Sequence, residues 1–109
     1  MDSYNVILSD SAKKQLDAYI DYIQYTLFNE QAADAVSLDA LNTIEQLKLV
    51  AGSLAPCDNP KLKKRGYRKI NFLQHDYVML YKLNGNTANI DGIYHQLQDY
   101  ENTFAQTLK

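Results

Sequence analysis

The fold is decided by residues 66–95, GYRKINFLQHDYVMLYKLNGNTANIDGIYH, where the hydrophobic pattern changes from a helical period to a strand period. Three runs with strand character follow one another here, at residues 67–73, 77–83 and 87–95. The middle run is apolar on both faces except for Lys82, as a central strand would be. Asn84-Gly85 predicts a type I′ turn, because that turn needs positive φ at both central residues. The stretch therefore predicts a three-stranded antiparallel meander.

Two helical segments precede the meander. Residues 4–8 read as a short strand, and apolar side chains then recur at spacings of three and four. This spacing predicts a first helix from about residue 10 to 28 and a second from about 30 to 54. The join at Phe28 and Asn29 is short, so the two helices should pack as an antiparallel hairpin.

The order of elements predicts an α+β fold. An N-terminal strand, an α-helical hairpin and the meander are followed by a short helix within residues 96–109. The hairpin should cover one face of the sheet, and the other face should collect the basic stretch (residues 61–69), the strand ends and the tail. A chain of 109 residues suits one domain, residues 1–109.

Several classes of protein find no support in the composition. Cys57 is the single cysteine, so an internal disulfide is excluded and a reducing compartment is expected. Two separated histidines make no zinc pattern, and four scattered glycines make no phosphate loop, so no metal or cofactor is expected. The chain shows neither a signal peptide nor about 20 consecutive apolar residues, and we expect a cytoplasmic protein without a membrane segment.

Positive charge is concentrated just before and within the first strand of the meander. Six of the eleven basic residues lie here: Lys61, Lys63, Lys64, Arg65, Arg68 and Lys69. Subtracting these six charges from the net charge of −2 leaves −8 for the rest of the chain. Such a cluster suits a local anion, either a phosphate or the carboxylates of a partner. It is equally typical of a solvated loop and a lysine-rich edge strand that limits aggregation.

The two histidines and the tyrosines are the other side chains that could carry function. His95 ends the last predicted strand and could exchange a proton near neutral pH or simply hold one hydrogen bond. His75 lies in a predicted turn, where a structural role is the simpler interpretation. Tyr19, Tyr22 and Tyr25 form a stripe on the first helix, which indicates either the border of the core or a partner-binding groove.

The spacing of residues along the whole chain resembles that of a known family. A strand that ends in Ser precedes a lysine-bearing helix, and a G-x-R motif opens the meander at Gly66 and Arg68. A Y-x-x-x-Y strand follows at Tyr77 and Tyr81, and an I-x-H-x-x-x-D exit contains His95. In this order the motifs resemble toxins of the RelE/ParE superfamily from bacterial type II toxin–antitoxin modules.

The resemblance implies a toxin that is neutralised by a small acidic antitoxin whose extended tail wraps around it. RelE-like members cleave mRNA in the ribosomal A site, and ParE-like members poison DNA gyrase. Metal-independent cleavage, in which the ribose 2′-OH attacks the adjacent phosphate, is the first function that the resemblance suggests. It assigns catalysis to His95, Arg68, Lys64 and Arg65, and this mechanism requires the cations and His95 to converge in a single anion-binding pocket. It assigns substrate binding to Lys61, Lys63, Lys69, Tyr81 and Tyr100, with Tyr81 or Tyr100 stacking on a base.

Two departures from the RNase pattern keep other functions open. Val78 follows Tyr77, where many RNase members carry an arginine, and residues 96–101 contain no cation. Loss of a cation from a phosphate site can remove several kcal/mol of transition-state stabilisation. A gyrase poison that acts by binding is therefore the alternative, and a member without toxicity is the third.

Overall fold

A computed structural model describes residues 3–109, so Met1 and Asp2 of the predicted 1–109 domain lie outside the described residues. The strands are β1 (Asn5–Leu8), β2 (Tyr67–Asn71), β3 (Tyr77–Asn84) and β4 (Thr87–His95). The helices are α1 (Asp10–Asp21), α2 (Glu30–Val50), α3 (Pro60–Lys64) and α4 (Tyr100–Thr107), and a π-helical turn (Tyr22–Thr26) follows α1. The predicted α+β order is confirmed.

The four strands form one mixed sheet in the order β1-β4-β3-β2. β2, β3 and β4 make the predicted antiparallel meander. β1 pairs in parallel with β4, with Asn5 opposite Thr87. The N-terminal strand is therefore the fourth strand of the sheet, which is not purely antiparallel.

The sheet has an apolar core on each face. The core beneath α1 and α2 includes Val36, Leu47, Ile70, Met79 and Ile90. The second core, beneath α3 and α4, includes Leu62, Tyr67, Leu80 and Phe104. The hairpin thus covers one face, as predicted, and most of the basic stretch and the tail pack on the other. Arg68 and the strand-end residue His95 were also expected there, but their side chains lie on the hairpin face.

Side-chain caps begin the two long helices close to their predicted starts. The Ser9 hydroxyl accepts a hydrogen bond from the N–H of Ala12 at 3.1 Å, and the Asn29 side chain accepts one from Ala32 at 2.9 Å. The first helix changes at Asp21 into the π-helical turn instead of continuing to residue 28, and α2 ends at Val50 instead of 54. Within residues 3–109 no helix has both the length and the hydropathy needed to cross a bilayer.

The hairpin turn between β3 and β4 differs from its predicted type. Asn84 pairs with Thr87, so the two turn residues are Gly85 and Asn86. Gly85 has a φ of 59°, whereas Asn86 has no positive φ. This pattern belongs to a type II′ turn, which needs positive φ only at its first central residue. The predicted type I′ turn is therefore wrong, and the turn lies one residue later than the predicted Asn84-Gly85.

Candidate functional site

The basic stretch begins in α3, a short helix that the sequence analysis had placed in a loop. Asn59 caps it by accepting hydrogen bonds from the N–H groups of Lys61 (2.9 Å) and Leu62 (3.2 Å), and Pro60 occupies the first helical position. Leu62 is fully buried and anchors the helix to the second core, whereas Lys63 and Lys64 are exposed. α3 therefore presents these two lysines to solvent.

Lys61 and Arg65, at either end of this turn, are held by the C-terminal segment. Lys61 Nζ donates to the carbonyl oxygens of Ala105 (3.1 Å) and Leu108 (2.6 Å), and Arg65 donates to the carbonyl of Lys109. These cations therefore satisfy carbonyls at the end of α4, where positive charge is favourable. These bonds use two of the three Nζ donors of Lys61 and hold both side chains against the C-terminal segment.

Lys69 and Tyr100 do come together, beside an acidic partner. Lys69 Nζ lies 2.8 Å from a Glu101 carboxylate oxygen and 3.3 Å from the Tyr100 hydroxyl. The adjoining open cleft, of about 390 Å³, is also lined by Asp58 and Asp99, so three acids surround the single lysine. Such a cleft repels a phosphate more than it attracts one.

Arg68 and Tyr81 meet on the hairpin face of the sheet, at the C-terminal end of α2. The guanidinium of Arg68 donates to the carbonyls of Leu54 (2.5 Å) and Gly52 (3.3 Å), and the Tyr81 hydroxyl donates to Ala51 (2.7 Å). Tyr81 is 0% exposed, and burial raises its pKa to about 12. The prediction that Tyr81 stacks on a base is wrong, because its ring is enclosed in the core.

His95 lies on the hairpin face, at the end of β4 nearest the join between the two helices. Its ring packs edge-on against Tyr77, with centroids 5.2 Å apart. Its Nδ1 atom accepts a hydrogen bond of 3.1 Å from the N–H of Leu97, so the neutral ring carries its proton on Nε2. In this state the free nitrogen of His95 is a hydrogen-bond donor.

A second histidine, His75, lies close to His95, and the sequence did not predict this proximity. His75 and His95 both line a cavity of about 300 Å³ between the hairpin join and the sheet. His75 Nδ1 lies 2.7 Å from a carboxylate oxygen of Asp39, which is buried and also accepts from the N–H of Gln74. The only signal in the sequence was an acid on the buried stripe of α2, three residues after Val36.

The histidine cleft and the basic stretch are separate regions. Arg68 is opposite Tyr81 in the register, whereas His95 is opposite Tyr77. Four residues of β3 correspond to about 13 Å along the sheet, and Arg68 and His95 also lie on opposite sides of that strand. The remaining cations pack on the other face, with α3 and α4. The prediction that the cations and His95 form a single anion-binding pocket is wrong.

Comparison with known proteins assigns the family. Residues 6–100 match the family described as the ParE toxin of the type II toxin–antitoxin system parDE. The chain belongs to this ParE toxin family. The resemblance to the RelE/ParE superfamily is confirmed. As a toxin of a type II toxin–antitoxin system, the chain has a cognate antitoxin as its partner. No curated protein matches the chain.

A solved structure, described as the chromosomal ParDE TA system from P. aeruginosa, has the same fold as this ParE family chain. The two superpose with a TM-score of 0.70 at 20% sequence identity. The match covers 85% of this chain and 96% of the other. At this identity the likeness establishes the fold, and the target has to be argued from the site.

Proposed function

We propose that this ParE family toxin arrests growth by binding DNA gyrase, without a catalytic step of its own, and that its antitoxin prevents this binding. The separation of His95 from the basic stretch is the observation that carries the proposal. Cleavage of mRNA needs a proton-transfer group and cations on the same phosphate, because charge and proton move together in the transition state. A binding toxin has no such requirement.

The contacts of the individual cations favour the same function. Lys61 and Arg65 are bonded to carbonyls at the C-terminus, and Arg68 is bonded to carbonyls after α2. Val78 stands where many RNase members carry an arginine, and residues 96–101 lack the cations that RelE-like tails often carry. Lys63 and Lys64 are exposed and suit the carboxylates of an acidic antitoxin.

The test pairs a gyrase assay on the purified protein with an RNA assay on cells that express it. We expect the chain to inhibit supercoiling by gyrase and to trap cleaved DNA, and we expect added antitoxin to restore supercoiling. His95→Gln keeps an N–H donor in place of the imidazole, so it should inhibit gyrase within threefold of wild type. Removal of a general acid or base would instead cost about 10²–10⁴-fold in rate.

The competing function gives a different result. Primer extension on mRNA from cells that express the toxin should show no cuts at defined codon positions. Codon-positioned cuts that disappear in His95→Gln, with supercoiling unaffected by the wild-type protein, would replace the gyrase proposal with mRNA cleavage.

A further inference from the structure

The join between α1 and α2 exposes an unusual amount of apolar surface. We call Tyr22, Tyr25, Leu27 and Phe28 the hairpin tip. Their exposed fractions are 55%, 65%, 55% and 88%, respectively. Aromatic side chains, including tyrosine and phenylalanine, are enriched in the cores of protein interfaces, where they bury large areas with few rotatable bonds. Large exposed side chains that cluster in this way mark an interaction surface.

The backbone of the hairpin tip is also irregular. The N–H of Leu27 bonds to the carbonyl of Tyr22 at 3.0 Å, which makes the last turn π-helical, a form that is rare and frequent at functional sites. Phe28 has a φ of 53°, in the left-handed region that favours glycine or asparagine. If this residue only had to reverse the direction of the chain, glycine would do so with less backbone strain. The phenyl ring gains almost no burial, so packing within the chain does not explain it.

Charge defines the kind of partner that the hairpin tip suits. Residues 15–47 contain six acidic residues and no lysine or arginine. Asp21, Glu30 and Asp34 flank the tip and are exposed. The surface is therefore apolar with an acidic rim, whereas the basic stretch lies on another part of the molecule.

We propose that the hairpin tip is the surface through which the toxin docks on its target protein, and that the docked segment of the target carries apolar side chains flanked by lysines or arginines. This inference rests on the proposed function, because it takes gyrase as that target. An acidic antitoxin is repelled by the rim and attracted by Lys63 and Lys64. The two partners therefore use different surfaces, and substitutions can separate them.

The test is the double variant Tyr25→Gln, Phe28→Asn. Asparagine tolerates the left-handed backbone, and both side chains are exposed, so the variant should fold with an unchanged circular dichroism spectrum. We expect the concentration for half-inhibition of gyrase supercoiling to rise about 30-fold, as removal of interface hot spots does. Growth arrest on induced expression should be lost, while the Kd for the purified antitoxin should stay within threefold.

A matched control removes the same kind of surface elsewhere. Leu41→Gln, Leu49→Gln replaces two leucines on α2 that are exposed by 61% and 63%. They lie 11 and 19 residues beyond Glu30, about 17 and 28 Å along the helix. This variant should inhibit gyrase and arrest growth like wild type.

The acidic rim is tested by charge reversal. Glu30→Lys, Asp34→Lys should weaken gyrase inhibition about tenfold at low salt, because the like charges of the docked segment would then oppose it. Glu45→Lys, near the far end of α2, is the control. An unchanged inhibition in the rim variant would overturn the basic character assigned to the docked segment.

The outcomes distinguish this inference from the proposed function. If the wild-type protein fails to inhibit gyrase, the proposed function fails, and growth arrest still decides the docking surface. A Tyr25→Gln, Phe28→Asn variant that still arrests growth, or one that loses antitoxin binding instead, would overturn the docking inference.

Discussion

Lys69 is the cation of the basic stretch with the strongest partner. Burial alone would raise the pKa of Glu101, but the hydrogen bonds from Lys69 and from the N–H of Asn59 outweigh burial and hold that pKa below its ordinary value of 4.5. The same bond to Glu101 raises the pKa of Lys69 above its ordinary 10.5, despite partial burial. The pair therefore stabilises the fold between the two titrations, where both groups are charged.

Replacing this lysine should lower stability in a pH-dependent way. Lys69→Met should reduce the free energy of unfolding at pH 7 by about 1–2 kcal/mol, since a charge-assisted hydrogen bond is lost. Because folding lowers the pKa of Glu101, this stabilisation is complete above pH 4.5 and is lost as pH falls through the folded value. Urea unfolding of both proteins at several pH values below 7 measures the difference, which should shrink as Glu101 becomes protonated. Exposed Lys63→Met is the control, and a loss that does not change with pH would contradict the assignment.

At the scale of elements, α4 closes over the second core and the basic stretch. Phe104 is buried and packs edge-on against Tyr67, with centroids 5.0 Å apart. Cys57 belongs to the same core and is 1% exposed. Burial raises the pKa of its thiol to about 12, so the group stays protonated and shielded in the folded protein. Cys57 can therefore report whether α4 is docked.

Weakening the anchor of α4 should expose this thiol. Phe104→Ala removes a buried ring and should destabilise the docked state of α4 by about 3 kcal/mol or more. This corresponds to a roughly 100-fold larger equilibrium population of the undocked helix. The rate at which a thiol reagent labels Cys57 under native conditions should rise by about that factor. Gln106→Ala, on the exposed side of α4, should label as slowly as wild type. Equal rates for all three proteins would mean that α4 does not shield the cysteine.

The elements differ in how far local sequence determines them. Ser9 is a local signal for the start of α1, because its cap forms within three residues. Asn29 caps α2 over the same distance, although the sequence indicated it only as part of the join. Asn59 and Pro60 cap and begin α3 in the same way, but beside Gly52, Ser53 and Pro56 they were interpreted as part of a loop. The pairing of Asp39 with His75 spans 36 residues and leaves no local pattern. This pair of side chains can be identified only from the three-dimensional packing.

The separation of Arg68 from His95, in contrast, was implied by the predicted elements. The first and third strands of a meander run in the same direction. A residue near the start of the first strand and one at the end of the third therefore lie toward opposite ends of the sheet. The single-pocket hypothesis required the basic residues to reach across that distance, and they instead bind the carbonyls nearest to them.

At the scale of the whole molecule, charge is divided between two regions. The hairpin carries acids without bases over residues 15–47, and the basic stretch carries six cations. Such a distribution orients an approaching charged partner before contact is made. It gives the toxin two electrostatically distinct surfaces, one suited to an acidic antitoxin and one to a basic segment of a target.

Steering of the antitoxin by the basic stretch can be measured with a matched charge change. Lys63→Glu, Lys64→Glu should lower the association rate with an acidic antitoxin about tenfold at low salt. Lys13→Glu, Lys14→Glu makes the same change on α1 and should have a much smaller effect. In 0.5 M salt the difference should nearly vanish, because charges farther apart than a few ångströms are then screened. Stopped-flow mixing measures these rates, and equal losses in the two variants would show that net charge, not the basic stretch, governs association.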